Sequence, residues 1–255
     1  MKNTLIKASL EAGKILKENF EGNFKISSKD VVSNLVTEID KKSEDKIIEV
    51  IKSSFPGHDI VSEEAGALYQ ESEYKWIIDP IDGTVNYAHS IPLTCVSIAL
   101  EKNSEIIMGA VFNPISGEFF FSEKGKGSFL NDVNISVSKA DDLRKSLVVT
   151  GFPYDSSSFK PDPFIIFKKF LMLDVPIRRL GSAALDLCWT ACGRFEGFWE
   201  YNLNAWDVAA GYLILTEAGG KVTDFQGSKY SVYGKQILAT NGLIHDQMLE
   251  VISEK

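Results

Sequence analysis

Apolar side chains recur at helical spacing at Leu5, Ala8, Ala12, Ile15, Leu16 and Phe20, which predicts a helix over residues 5–20. A second set, Ile39, Ile47, Ile48, Ile51 and Phe55, predicts a helix over 37–55, ended by Pro56-Gly57. Short apolar runs at 60–61 and 76–78 read as buried strands, and each runs straight into acid: Glu63-Glu64 after the first, Asp79 after the second. From Val96 to Val137 the pattern turns to β, with strands expected at 96–100, 106–112 and 118–122 and a hairpin turn at 113–117 between the last two. Beyond Leu147 helices and strands alternate. Strands are expected at 147–150, 198–200, 221–224 and 237–240, and helices at 163–173, 182–193, 205–218 and the C-terminus, with Gly219-Gly220 closing the third of these helices. This order predicts layers of helix and sheet rather than a doubly wound sheet with one helix per strand. A boundary at 140–150, where the β-rich run ends, would divide the chain into two subdomains.

Composition adds little and excludes something. With 255 residues the chain has room for a sizeable core. Lys plus Arg total 27 against 35 Asp plus Glu, a net charge of -8, which disfavours a grip on nucleic acid. No charge-free apolar stretch of roughly 18 residues occurs, so no membrane span is expected. The N-terminal sequence, interrupted by Glu11, does not read as a signal peptide. Cys95, Cys188 and Cys192 sit in apolar sequence and read as buried, reduced thiols of a cytoplasmic protein. His58, His89 and His245 stand outside the acidic segments and read as structural or surface residues.

The chemistry centres on Asp79-Pro-Ile-Asp82-Gly-Thr84. Asp79 ends an apolar run, Pro80 restricts one dihedral, and Gly83 permits a tight turn. Two carboxylates three residues apart across such a turn can converge, and a hard divalent cation satisfies their mutual repulsion. Thr84 reads as an N-cap, with backbone amides of Gly83 and Thr84 available to an anion. A solvated turn capped by threonine would look the same in isolation. Ser62-Glu63-Glu64 could bring a third carboxylate to the same edge. Trp206-Asp207 opens an apolar helix, where Asp207 could cap the helix or reach a metal, and Asp40 stands at another helix start.

Together, Leu35-Val-Thr37-Glu-Ile-Asp40, Ser62-Glu63-Glu64, Trp76-Ile-Ile-Asp79-Pro-Ile-Asp82-Gly-Thr84, Gly181-Ser-Ala-Ala184, Trp206-Asp207-Val-Ala-Ala-Gly211 and Glu217-Ala-Gly-Gly220 closely resemble the inositol monophosphatase family over nearly the whole chain. The resemblance implies an α/β fold, a layered αβαβα sandwich of the inositol monophosphatase and fructose-1,6-bisphosphatase type, forming one unit over 1–255. Within it, 1–145 would carry the metal and phosphate site and 146–255 the substrate pocket. Glu63, Asp79, Asp82 and Asp207 would bind two or three Mg2+ ions, with the Ile81 carbonyl as a further ligand. Asp82, Gly83, Thr84 and Asp207 would contact phosphate or substrate, and Gly181, Ser182, Ala183 and Glu200 would line the pocket of the substrate alcohol. Asp40 would hydrogen-bond Thr84, which with Glu63 would orient the attacking water. Lys29 would lie on a mobile loop over 26–34. Ser62 departs from a glycine that is frequent in the family, and Asn34 stands where an acidic residue is frequent; neither removes a metal ligand.

These residue types suit in-line attack by water on a phosphate monoester, with one Mg2+ activating the water, a second about 4 Å away stabilising the leaving oxygen, and Asp79 between them. The reading is an enzyme, a phosphoric monoester hydrolase, whose substrate is a small phosphorylated polyol or sugar, first of all myo-inositol monophosphate. Fructose 1,6-bisphosphate, NADP and nucleotide 3′-phosphates are the alternatives within the superfamily, and residues near Glu200 and in 152–163 would decide among them. The resemblance also implies a homodimer and inhibition by Li+. A non-catalytic regulatory protein on the same scaffold fits less well, because every metal-binding carboxylate is present.

Overall fold

The computed structural model describes residues 1–22, 24–28, 35–153 and 162–253. Helices α1 (Lys2–Asn19) and α2 (Glu38–Ser54) follow the two apolar stripes and bury Leu5, Ala8, Ala12 and Leu16, and Ile39, Ile47, Val50 and Ile51, respectively. Strands β1 (Ile26–Ser28) and β2 (Leu35–Thr37) pair antiparallel just before α2. Thr37 caps α2 in a capping box: its hydroxyl accepts from the Ile39 and Asp40 amides while Asp40 accepts from the Thr37 amide. Such a cap stabilises a helix start by about 1 kcal/mol, small beside the burial of the apolar stripe, where each enclosed Ile or Leu contributes about 1.5–3 kcal/mol.

The first sheet contains β3 (Asp59–Ser62), β4 (Gly66–Leu68), β5 (Tyr74–Asp82), β6 (Cys95–Lys102), β7 (Glu105–Asn113), β8 (Glu118–Glu123), β9 (Ser128–Leu130) and β10 (Val133–Ile135), in the order β10-β9-β8-β7-β6-β5-β3-β4. Only β3 and β5 run parallel. The short helix α3 (Thr84–Ala88) follows β5 directly. The second sheet, of order β12-β11-β13-β15-β14, contains β11 (Val148–Thr150), β12 (Ile177–Arg178), β13 (Gly197–Tyr201), β14 (Lys221–Thr223) and β15 (Gln236–Thr240). Its helices are α4 (Pro163–Met172), α5 (Ala183–Ala191), α6 (Ala205–Glu217) and α7 (His245–Ser253).

Strand alternation assigns the layers. Trp76 and Ile78 join the core under α1 and α2, whereas Ile77 joins the core shared with α5 and α6. On the second sheet Phe198, Ile237 and Ala239 face that same central core, while Trp199, Tyr201 and Leu238 pack with Phe170 of α4 and Met248 of α7. The order is therefore helix pair, sheet, helix pair, sheet, helix pair, the predicted αβαβα sandwich. Helix α6 is apolar on nearly every side because it lies between two sheets. It approaches β7 closely: a Cβ on Gly109 would stand 2.9 Å from the Ala210 carbonyl oxygen and 3.0 Å from its Cα. Among the described residues no helix is long and apolar enough to cross a membrane.

One expectation changes. The segment from Asp79 to Asp82 is not a turn after a strand but the end of β5 itself. Its pairing with β6 slips between Asp79, opposite Ser97, and Asp82, opposite Cys95, so β5 carries one extra residue. This is a β-bulge, which also accommodates Pro80 without a missing ladder bond. In an unbroken strand Asp79 and Asp82, three apart, would point to opposite faces. Ile81 instead joins the α1–α2 core while Asp82 bonds to α5, so the bulge turns Asp82 to the central layer, the side Ile77 and Asp79 share by alternation.

Because the backbone of α6 blocks Gly109, Gly109→Ala is expected to lower the urea midpoint with unchanged slope, by the equivalent of about 1–3 kcal/mol. An unchanged midpoint would show that α6 and β7 are not in this contact.

Candidate active site

At the end of β5 Asp79 is buried, 2 % exposed, and its Oδ1 accepts from the Ile81 amide at 3.0 Å. Asp82, 8 % exposed, has its Oδ2 occupied: the Ser182 hydroxyl donates to it at 2.6 Å, the Ala184 amide at 2.8 Å, and the Cys95 thiol lies 3.7 Å away. Across from them Asp207, at the third position of α6, accepts from the Asn204 amide through Oδ2 at 2.6 Å. Each aspartate thus has one oxygen tied by local donors, which orients the other.

The β5 bulge leads into Gly83, whose φ of +85° suits glycine, and where a Cβ would stand 2.7 Å from the Leu93 carbonyl oxygen. Gly83, not Thr84, is the N-cap of α3. Thr84 is the first helical residue, and its hydroxyl does other work: it lies 3.2 Å from Asp40 Oδ1 and 2.9 Å from the Ile81 carbonyl oxygen, donating to one at a time. Asp40 uses its Oδ2 for the Thr37 cap, so one carboxylate closes α2 and reaches Thr84. Glu63 stands just beyond β3, where its amide donates to the Ile78 carbonyl at 3.2 Å.

The carboxylates act on one another. Burial first, then repulsion from Glu63, Asp82, Asp207 and Asp40, pushes Asp79 well above the ordinary range. Burial, opposed by the bonds from Ser182 and Ala184, pushes Asp82 up to about 6, with Glu63 adding to the rise. Asp207 is pushed up to about 8, by burial first, with Asp82 and Glu63 adding to it and Lys235 opposing. Burial, against the bonds from Thr37, raises Asp40 to about 6, with Glu63 and Glu64 contributing. Glu200 on β13 reaches about 8 through burial, then Asp207 and Asp82, against the pull of Arg179. As the side chains stand, no three acidic, histidine or cysteine groups among the described residues are gathered closely enough to grip one ion. Their fields overlap at longer range.

The residues expected from the sequence come from several elements: Asp40 from α2, Glu63 from the end of β3, Asp79, Ile81 and Asp82 from β5, Gly83 and Thr84 from the start of α3, Gly181, Ser182 and Ala183 from the start of α5, Glu200 from β13 and Asp207 from α6. Gly181, Ser182 and Ala183 open α5, but the Ser182 hydroxyl is enclosed, donating to Asp82 while it caps α5 at Leu185. Lys29, Asn34 and most of 152–163 lie outside the described residues. Cys95 and Cys188 are buried and Cys192 is half-buried; all three are free thiols. His58 stacks between Phe55 and Tyr74, and His245 is enclosed between Thr223 and Thr240. His89 ends α3.

Several contributors were not anticipated. On α2 the Ser43 hydroxyl donates to the Pro80 carbonyl at 2.9 Å, and Glu44 Oε1 accepts from the amides of Glu64 and Ala65. Asn86 of α3 donates to the Leu93 and Leu180 carbonyls, tying α3 to the approach to α5. Asp186 on α5 is buried with Oδ1 unpartnered, and burial followed by repulsion from Glu200 and Asp82 holds it well above the usual carboxylate range. A signal for Ser43 and Glu44 did exist: they fall on the same helical face as Asp40, Ile47 and Ile51, the face turned inward.

Comparison with known proteins agrees with this arrangement. The model of the inositol monophosphatase family matches residues 1–255. A Nus factor SuhB from Pasteurella multocida is 39% identical over 249 residues, covering 96% of this chain and 93% of that protein. An inositol-1-monophosphatase from Mesorhizobium japonicum is 37% identical over 256 residues, covering 99% of this chain and 96% of its own length. The solved inositol monophosphatase from Anabaena (Nostoc) superposes with a TM-score of 0.88 at 40% identity, over 98% of this chain and 94% of that one. With one family model spanning its whole length and relatives of such identity, the chain belongs to the inositol monophosphatase family of phosphatases.

Proposed function

We propose that this phosphatase hydrolyses small phosphate monoesters with the help of Mg2+, myo-inositol monophosphate foremost among them. The observation that carries the reading is that four carboxyl groups, Glu63 beyond β3, Asp79 and Asp82 on one side of β5 and Asp207 on α6, act on one another, so that burial and mutual repulsion raise Asp79, Asp82 and Asp207. Such a set favours a cation. Its donors are all oxygen, these four carboxylates and the Ile81 carbonyl, and hard oxygen donors suit Mg2+. These residues would hold the ion, and the family is metal-dependent in general. When bound, Mg2+ supplies Lewis-acid polarisation of the phosphoryl group and stabilisation of the leaving oxygen.

The chain's own residues do the rest. With its hydroxyl hydrogen directed to Asp40 or to the Ile81 carbonyl in a hydrogen bond, Thr84 Oγ1 presents a lone pair that accepts from the attacking water. Glu63 accepts the other hydrogen of that water, so two acceptors orient it for in-line attack. The amides of Gly83 and Thr84 stand at the head of α3 to neutralise charge on the phosphoryl oxygens. At the start of α5 Gly181 and Ala183, and on β13 Glu200, form the wall against which the alcohol rests, with Ser182 contributing backbone while its hydroxyl serves Asp82. SaIMPase-II, a relative with a TM-score of 0.82 and 25% identity, was solved with inositol monophosphate bound, which supports that choice of substrate. Fructose 1,6-bisphosphate, NADP and nucleotide 3′-phosphates are the competing substrates. The reading extends to a homodimer, a cytoplasmic setting and inhibition by Li+. Relatives named Nus factor SuhB match over the same span, and the intact carboxylate set supports catalysis whether or not this chain also serves such a role.

Asp79→Asn is expected to cost about 100-fold or more in Mg2+-dependent phosphate release, the scale of several kcal/mol of lost charge stabilisation, with the circular dichroism spectrum unchanged. Near-parental turnover would overturn the metal assignment. Phosphate release from a panel of the competing substrates is expected to rank inositol monophosphate first in kcat/KM.

The raised carboxylates also predict the pH response of the metal-free protein. Asp207 and Glu200 hold protons up to about pH 8 in the fold, against ordinary carboxyl values of 3.8 and 4.5. The fold therefore binds more protons than the unfolded chain across that window, and stability falls as pH rises through it. Tm is expected to decline between about pH 5 and pH 8.5 without metal, and Mg2+ is expected to restore it while releasing protons. A Tm that rises over that range would contradict the shifts.

A further inference from the structure

We propose that Glu44 is a positioning residue that sets where Glu63 stands relative to Asp79 and Asp82, acting through the backbone on either side of Glu63. The inference rests on the metal-dependent reading above. Glu44 is 5 % exposed on the inward face of α2, and no ion pair to it occurs among the described residues. A carboxylate there is costly unless fully hydrogen-bonded. Its Oε1 meets that demand with three donors: the Ser62 hydroxyl, the Glu64 amide at 3.1 Å and the Ala65 amide at 3.0 Å. These residues bracket Glu63.

The bracket lies where the parallel pairing of β3 with β5 ends. The Glu63 amide bonds the Ile78 carbonyl, and β3 turns back to β4 through 63–65, closed by the Ser62–Gly66 pair. Helix α2 supplies the reference. Asp40, Ser43 and Glu44 lie at i, i+3 and i+4, one face of one helix, and each grips a different segment: Asp40 reaches Thr84, Ser43 the Pro80 carbonyl, Glu44 the Glu63 turn. A rigid helix with three such arms fixes the mutual spacing of the segments bearing Glu63, Asp79 and Asp82. Ser62, where the family often carries glycine, adds a fully buried hydroxyl to the same acceptor.

The test uses the metal-free full chain, Mg2+ titration by calorimetry, Tm, and steady-state kinetics with inositol monophosphate. Glu44→Gln keeps an acceptor oxygen at the same reach without the charge, and Glu44→Asp keeps the charge on a shorter arm. Glu44→Ala and Glu44→Asp are expected to weaken Mg2+ binding by about 10–100-fold, as losing a hydrogen-bond partner behind a metal ligand does, and to raise the Mg2+ requirement of turnover with the substrate KM at saturating Mg2+ unchanged. Glu44→Gln is expected to recover most of the affinity. If Glu44→Asp binds Mg2+ like the parent while Glu44→Gln does not, charge rather than position matters and the inference falls. It also falls if Glu44→Ala loses Tm but keeps full Mg2+ affinity; should that variant not fold, the Asp and Gln pair decides. Asp79→Asn runs alongside: if it binds Mg2+ normally, the metal reading itself fails, independently of Glu44.

Discussion

Carboxyl groups kept out of water at one place dominate this protein. Asp79 and Asp82 are nearly enclosed, Asp207 and Glu63 act on them, and the raised pKa values of Asp79, Asp82 and Asp207 trace to burial first and mutual repulsion after it. Uncompensated buried charge costs several kcal/mol per group, against a typical net stability of about 5–15 kcal/mol. The fold tolerates this because five packed layers surround the site, and because each carboxylate is partly satisfied locally: Asp79 by the Ile81 amide, Asp82 by Ser182 and Ala184, Asp207 by Asn204, Asp40 by Thr37. Those bonds lower the cost without cancelling the charge. On the proposed reading, a bound cation relieves the cost that remains.

The fold was largely legible because its elements obey simple periods. The stripes of α1 and α2, the short apolar runs of β6 to β8 and the all-apolar α6 each have one stable solution, a helix or strand buried along those residues. The short edge elements β4, β10 and β12 were not legible, since their pattern is mostly polar or only two or three residues long. The bulge in β5 escaped for a different reason. Pro80 and Gly83 announce a break, but whether the chain turns or slips register depends on its partner, β6, and no local pattern encodes that.

For the candidate site the acidic motifs named the groups that meet, while their supports stayed hidden. Ser182 reads as pocket lining from its motif, yet its hydroxyl serves Asp82, because that oxygen is the acceptor within reach of the start of α5. Ser43 and Glu44 carry no motif at all. Their only mark is polarity on a helix face that burial should make apolar, and such a mark gains meaning once the neighbouring segments are known to bring amides and a carbonyl to it. Asp186, buried beside Glu200 and Asp82 with an unpartnered oxygen, is of the same kind.

The bond from Ser182 to Asp82 joins residues 100 positions apart, and Asp207 lies later still, on a helix packed between the two sheets. During synthesis, a chain that has emerged only as far as β10 already carries Asp40, Glu63, Asp79 and Asp82, but Asp82 has neither α5 donor and Asp207 does not yet exist. In that half-made cluster α2 already ties the segments of Asp40, Glu63 and Asp79, while Asp82 lacks the two donors that orient it. The set is complete only when α5 and α6, both from the later half of the chain, are packed against the end of β5.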